Sequence, residues 1–366
     1  MNPFLSKKFR FYSFISMVLL VFVHGYNLNN RYMQPWTIVE EQLTFNTFSQ
    51  YFFANGIFRF RIPMLFIISG YLFALHDDKP YWQRIKKRVR TLLLPYFLWS
   101  ILGLLIAVLF TRFEATRDVV YRTNLQPYNQ PFTEYNVSQW VTAIVRPTSF
   151  QLWFLRCLFV CNLLYPLLLK GVLKIPWVVF FLFGLMWLAT FGIIFIEGEG
   201  PLFFSLGIWL CKRNKNIEIK PRWLNLQLWT LIFVGAAFAK TWLAFKGLNS
   251  ISGATFLLMM ILHKLTIFSC LVVIWFGCDW LVKYFMDRRW FMRISAYAFI
   301  IYALHVPLIT YLIDPVFNLV ENVPHYRLIT FITLPLTIIS FCISVGWILR
   351  KTMPKVYSIF TGGRGI

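Results

Sequence analysis

Ten apolar runs divide this 366-residue chain, and short basic stretches separate most of them. The runs are Phe11–Asn27, Ile57–Leu75, Leu92–Thr111, Leu152–Leu169, Pro176–Ile196, Leu202–Leu210, Leu224–Leu243, Thr255–Val282, Ile294–Ile313 and Leu328–Leu349. About 20 apolar residues suffice for a helix to cross a bilayer. A soluble domain could not bury so many runs. Apolar residues make 58% of the chain and charged residues 14%, against about 45–50% and about 25% in soluble proteins. The expected fold is all-α, a polytopic membrane helix bundle of about ten transmembrane helices forming one unit over residues 1–366.

Charge sets the orientation. The net charge of +22 would suggest nucleic acid in a soluble chain. Here the cations sit between apolar runs, which is a topology signal, so no nucleic-acid partner is expected. With the N-terminus inside, the inner stretches hold 24 of the 36 Lys and Arg, so both termini are expected to be cytoplasmic. The first run has no small-residue cleavage site and should remain as a span. The chain is expected in the cell inner membrane or plasma membrane, as a multi-pass protein. Residues 112–150 form an extended outer loop, read as a lid or rim. None of the six cysteines shows metal-ligand spacing, and no metal is expected.

Ionisable residues inside spans are the informative ones. His24 lies about 20 Å from the inner end of the first run. It is either a packing histidine or a general base facing a polar cavity. Arg59 and Arg61 open the second run at similar depth. They could snorkel, but at i, i+2 they do not share a helix face, so at least one should face the bundle. Trp153 and Arg156 share a face of the fourth run. Of the adjacent His263 and Lys264, one is expected to face inward. Cations at one depth in four spans imply a shared wet cavity that receives an anion, with no acid inside the spans to match them. On the inner side, residues 79–90 read as an interfacial basic helix with Trp82, Ile85 and Val89 on its apolar face. That helix either contacts anionic membrane lipids or docks phosphates.

Four segments are similar to motifs of the acyltransferase-3 family of membrane O-acyltransferases. They are Met17–Gly25 ending in His24-Gly25, Pro63–Phe73 with Ser69-Gly70-Tyr71-Leu72, the basic stretch into Pro95–Trp99, and Trp153-Phe154-Leu155. Ile301–Pro307, containing Tyr302 and His305, supports them. The resemblance spans nearly the whole chain. It implies transfer of an acyl group from cytoplasmic acyl-CoA to a hydroxyl of a cell-surface or lipid-linked glycan. It implies His24 as the catalytic residue and the Lys87–Arg90 region as the acyl-CoA contact. Two positions depart from the family pattern. Ser13 stands where many members have arginine, and Lys87-x-x-Arg90 replaces R-x-x-R. No SGNH-type extra domain, which some members carry after the last span, is expected.

The expected function is therefore O-acylation of a glycan, with acetyl-CoA or another acyl-CoA as donor and His24 as general base. Acetyl is the expected group, and succinyl is the alternative that a cationic cavity allows. Arg59, Arg61, Trp153, Arg156, Tyr302 and His305 are the expected substrate-binding residues. Lys87, Arg88, Arg90 and Tyr96 are the expected donor-binding residues. The competing reading is a transporter or flippase for a glycan or anionic substrate, which would show repeats and broken helix pairs. The oligomeric state stays open, a dimer included.

Overall fold

The computed structural model describes residues 2–26, 28, 34–123, 125–128, 130–192, 195–246 and 253–365. Asn27, the expected end of the first run, lies outside the described residues, as do positions 193–194 of the fifth run and 124 and 129 of the outer loop. All the regular elements are helical, and no β-strand occurs among the described residues. In chain order they are α1 (Pro3–His24), α2 (Phe45–Leu75), α3 (Tyr81–Phe110), α4 (Glu114–Arg122) and α5 (Val137–Val145). Then come α6 (Phe150–Leu163), α7 (Tyr165–Lys174), α8 (Pro176–Leu188), α9 (Glu199–Lys212) and α10 (Leu226–Lys246). Last are α11 (Gly253–Gly277), α12 (Asp279–Met286), α13 (Arg289–Val320), α14 (Tyr326–Thr352) and α15 (Pro354–Thr361).

Each of the ten apolar runs holds a helix. Among the described residues, α2, α3, α10, α11, α13 and α14 are long and apolar enough to span a bilayer. The pair α6–α7, bent by 66°, makes a seventh if it counts as one span. The apolar α8 is shorter, and α1 carries Lys7, Lys8 and Arg10 within its 22 residues.

Small residues and ion pairs hold the bundle together. A Cβ on Gly70 would overlap the Phe204 carbonyl oxygen, and one on Gly207 would overlap that of Ile67. Helices α2 and α9 therefore cross backbone to backbone, the close approach that glycine permits in membranes. The fully buried Lys8 pairs with Asp279 at 2.6 Å and lies 4.5 Å from the Trp275 ring centroid. Such a charge is tolerated only when partnered. Beyond α2, Asp77 accepts from Lys212 at 2.5 Å and from the Tyr165 hydroxyl at 2.9 Å.

The described part of residues 112–150, expected as an outer loop, holds α4, a 3₁₀ turn at Phe132–Glu134, and α5. Val120, Phe132, Tyr135 and Ala143 pack there with Leu104, Ala107 and Tyr311 of the spans. The basic stretch is helical from Tyr81 to Arg88 and continues as a π turn over Val89–Leu93. Ile85 and Arg84 are buried, whereas Trp82 and Val89 are exposed. Arg84 donates to the Phe73 carbonyl, with its guanidinium over the Phe73 and Tyr165 rings at 3.8 and 4.6 Å. Aromatic faces thus hold a charged residue inside the bundle.

Candidate functional site

His24 is the last residue of α1 and is followed by Gly25, where a Cβ would sit 2.6 Å from Pro335 Cγ. That close approach to α14 fixes the end of the helix. The His24 ring meets the edge of Phe150 at 4.9 Å and stacks on His305 at 5.7 Å. His305 is fully buried. Its Nδ1–H donates to the Ile301 carbonyl at 2.9 Å, and its Nε2 has no hydrogen-bond partner. His305 thus lies behind His24 and is not among the residues lining the cavity next to it.

That cavity has a volume of about 600 Å³ and is lined by His24 with Arg59, Arg61, Trp153, Arg156 and Tyr302. Six sequence-selected residues therefore share one space. The entry to the second apolar run explains how both arginines reach it. Instead of starting at Ile57, the helix starts at Phe45, with a π turn at Phe52–Gly56 and a 3₁₀ turn at Ile57–Phe60. A 3₁₀ turn has about 3.0 residues per turn, which brings i and i+2 closer in direction than an α-helix does. Arg61 is held by donating from Nη1 to the Phe58 carbonyl at 2.9 Å.

The irregular turn also serves a third cation. Lys240 is fully buried, and its ammonium donates to the Asn55 carbonyl at 2.7 Å and to His263 Nδ1 at 2.8 Å. The His263 ring proton is thereby left on Nε2. Both His263 and Lys264 line the cavity, although only one was expected to. The cavity is wide, and Lys264 reaches across to within 4.9 Å of the Trp187 ring centroid.

Two acids enter as well. Glu197 and Glu199 line the cavity at the start of α9, where the loop preceding that helix folds into the bundle. Among the described lining residues there are five Lys and Arg (Arg59, Arg61, Arg146, Arg156 and Lys264) against these two glutamates. The balance stays cationic, so the site favours an anionic ligand or a developing oxyanion. Trp153 and Tyr302 add aromatic surface. The Tyr302 hydroxyl donates to the Gln151 carbonyl at 2.7 Å, and Gln151 Nε2 donates to the Ala303 carbonyl at 2.9 Å, which ties α6 to α13.

The four residues expected to bind the donor lie elsewhere. Lys87 and Arg90 are exposed, the Arg88 guanidinium lies 5.2 Å from the Phe73 ring centroid, and the buried Tyr96 donates to the Val145 carbonyl at 2.7 Å. None of them lines this cavity. Lys240 was not among the expected residues, although it too is a cation inside an apolar helix. No cluster of three or more His, Cys, Asp or Glu able to hold a metal occurs among the described residues.

A multi-pass helical membrane protein with a histidine at a cation-rich cavity is the class that this fold and site define. The family model described as "Acyltransferase domain" matches residues 6–342, and the chain belongs to that acyltransferase family. It is an enzyme of the acyltransferase class, which displaces the transporter reading. A curated relative, the succinoglycan biosynthesis protein ExoH of Rhizobium meliloti (strain 1021), is 26% identical over 332 residues. The match covers 86% of this chain and 81% of that protein. No solved structure matches the chain with significance.

Proposed function

We propose that this enzyme transfers an acyl group, acetyl in the first instance, from acyl-CoA to a hydroxyl of a cell-surface or lipid-linked glycan. The observation that carries this reading is His24 at the wall of a cavity that also gathers Arg59, Arg61 and Arg156. The succinoglycan relative supports a glycan as acceptor. In the proposed reaction His24 takes the proton of the acceptor hydroxyl as its oxygen attacks the thioester carbonyl. The arginines stabilise the oxyanion, the C–S bond breaks, and the departing thiolate is protonated from the imidazolium. Trp153 and Tyr302 give the sugar an apolar face to pack on. His305 sets the His24 ring from behind.

On the donor side, the exposed Lys87 and Arg90, with Arg88, draw the anionic donor to the cytoplasmic surface. Both termini face the cytoplasm of a plasma-membrane or inner-membrane protein with about ten spans. Residues 112–150 form the rim of the acceptor entrance, and the whole chain acts as one unit. Incubating membranes that contain the protein with radiolabelled acetyl-CoA, and identifying the labelled product, tests the reading. A labelled glycan is the expected result, and labelled membranes without any glycan product would refute it.

A further inference from the structure

A second cavity, of about 520 Å³, lies at the other end of α1. Arg10, Ser13 and Phe14 line it on α1, and Ser13 is eleven residues, or about 16 Å, from His24 along the helix. Arg293 comes from the start of α13, Arg350 from the end of α14 and Arg364 from the residues after α15. Four arginines from four segments thus converge, and no Asp or Glu is among the lining residues.

Two of the four are held in place. Arg10 donates from Nε to Ser295 Oγ at 3.2 Å and from Nη2 to the Met292 carbonyl at 2.8 Å. Arg364 donates from Nη1 to the carbonyls of Thr91 and Thr361 at 2.7 and 3.0 Å, and its guanidinium lies 4.7 Å from the Phe299 ring centroid. Each guanidinium has five N–H donors, so both keep donors beyond those that anchor them. The backbone is built to deliver Arg364. Gly362, Gly363 and Gly365 have φ of 60, 76 and 75°, and a Cβ on Gly365 would overlap the Ala296 carbonyl. Three left-handed glycines fold the segment after α15 into the cavity wall, a path that side-chain-bearing residues resist.

We propose that this cavity is a binding site for a phosphate-bearing ligand, with Arg10, Arg293, Arg350 and Arg364 as its anion-binding groups. Arginine forks match phosphate oxygens, and four guanidinium groups on one space with no acid among its lining residues favour an anion; Arg10, Arg293 and Arg350 are exposed and open to a ligand from solution. Two sources share that chemistry, the phosphates of CoA and the headgroup of an anionic lipid. Position favours CoA. Phe299 lines this cavity and Tyr302 the first, their ring centroids 5.8 Å apart on adjacent turns of α13. The two cavities thus lie one turn of α13 apart, and CoA is the phosphate-bearing ligand that the proposed reaction requires near the His24 cavity. The phosphate site stands without the acyl-transfer reading, but the assignment of CoA as its ligand rests on it.

The test is direct binding to the full-length protein in detergent, with CoA and inorganic phosphate as probes. A parallel arm follows the melting temperature in nanodiscs of phosphatidylcholine with and without phosphatidylglycerol. The variants are Arg293→Glu/Arg350→Glu and the charge-keeping Arg293→Lys/Arg350→Lys, which controls for folding. CoA affinity is expected to fall about tenfold or more in the Glu pair, since each charge-assisted hydrogen bond contributes about that factor. The Lys pair should bind CoA more tightly than the Glu pair and less tightly than wild type, because an ammonium keeps the charge without the planar fork, and wild-type affinity should weaken with salt. If CoA binding is unchanged but stabilisation by phosphatidylglycerol disappears in the Glu pair, the phosphate site stands with a lipid headgroup as its ligand. If the Glu pair matches wild type with CoA, phosphate and phosphatidylglycerol alike, the proposal is overturned. Because binding is read without turnover, a missing transfer activity would count against the acyl-transfer reading alone.

Discussion

The imidazole rings of His24 and His305 lie nearly parallel, with centroids 5.7 Å apart and planes inclined by 22°. His305 is fully buried and anchored to its own helix through the Ile301 carbonyl. It therefore acts as a fixed plate against which His24 is oriented, as second-layer groups orient catalytic ones. His305→Ala should lower kcat about tenfold to a hundredfold, the loss expected when a reacting group shifts by about 1 Å. The acceptor KM should change little. Steady-state kinetics on the variant checks this, and an unchanged kcat would remove His305 from the site.

Arg61 is buried, with one guanidinium nitrogen bound to the Phe58 carbonyl and the group lining the cavity. Arg61→Ala should lower kcat/KM about 10- to 100-fold, the scale of one or two charge-assisted hydrogen bonds. Arg61→Lys should recover only part of that loss, because an ammonium lacks the planar fork. Kinetics of the two variants side by side decides the point.

The sequence made the helices and the gathering of cations legible, for identifiable reasons. Each apolar run became a helix because a bilayer leaves the backbone few alternatives. His24, Arg59, Arg61 and Arg156 meet because buried cations at equal depth share one wet space. The details that failed are those where local backbone departs from an ideal helix. The π and 3₁₀ turns before Arg61 follow no hydrophobic period, so the pair looked divergent. No acid was expected to match the cations, and nothing in the pattern says that the chain at Glu197 and Glu199 folds inward. The path of Gly362–Gly365 depends on left-handed backbone that no periodicity reveals.

The α2–α9 crossing has no room for a side chain at Gly207, where a Cβ would overlap the Ile67 carbonyl oxygen. Gly207→Ala should destabilise the protein by about 1–3 kcal/mol through overpacking. A lower melting temperature and lower yield in detergent are the expected readouts. A wild-type melt would mean that the two helices separate without cost.

Asp77 lies beyond the end of α2 and ties that helix to α9 and α7. Burial pushes its carboxyl pKa up, but the hydrogen bonds from Lys212 and Tyr165, together with the Lys212 charge, hold it below the usual carboxylate value. A depressed folded pKa means the stabilisation is present above the unfolded value of about 3.9 and is lost as pH falls through the folded one. Asp77→Asn should therefore melt below wild type at pH 7, by about 1 kcal/mol for a partly exposed pair. That gap should close as pH drops below about 4. Melting curves of both proteins across that range give the answer.

The central claim is that His24 is the general base. The most direct measurement is transfer of label from acetyl-CoA to glycan by purified His24→Ala, compared with wild type at matched expression and melting temperature. Loss of a general base costs about 10²–10⁴ in rate, so transfer by the variant should fall at least a hundredfold while it remains folded. Wild-type turnover by His24→Ala would contradict the account and leave the cation-rich cavity in need of a different base.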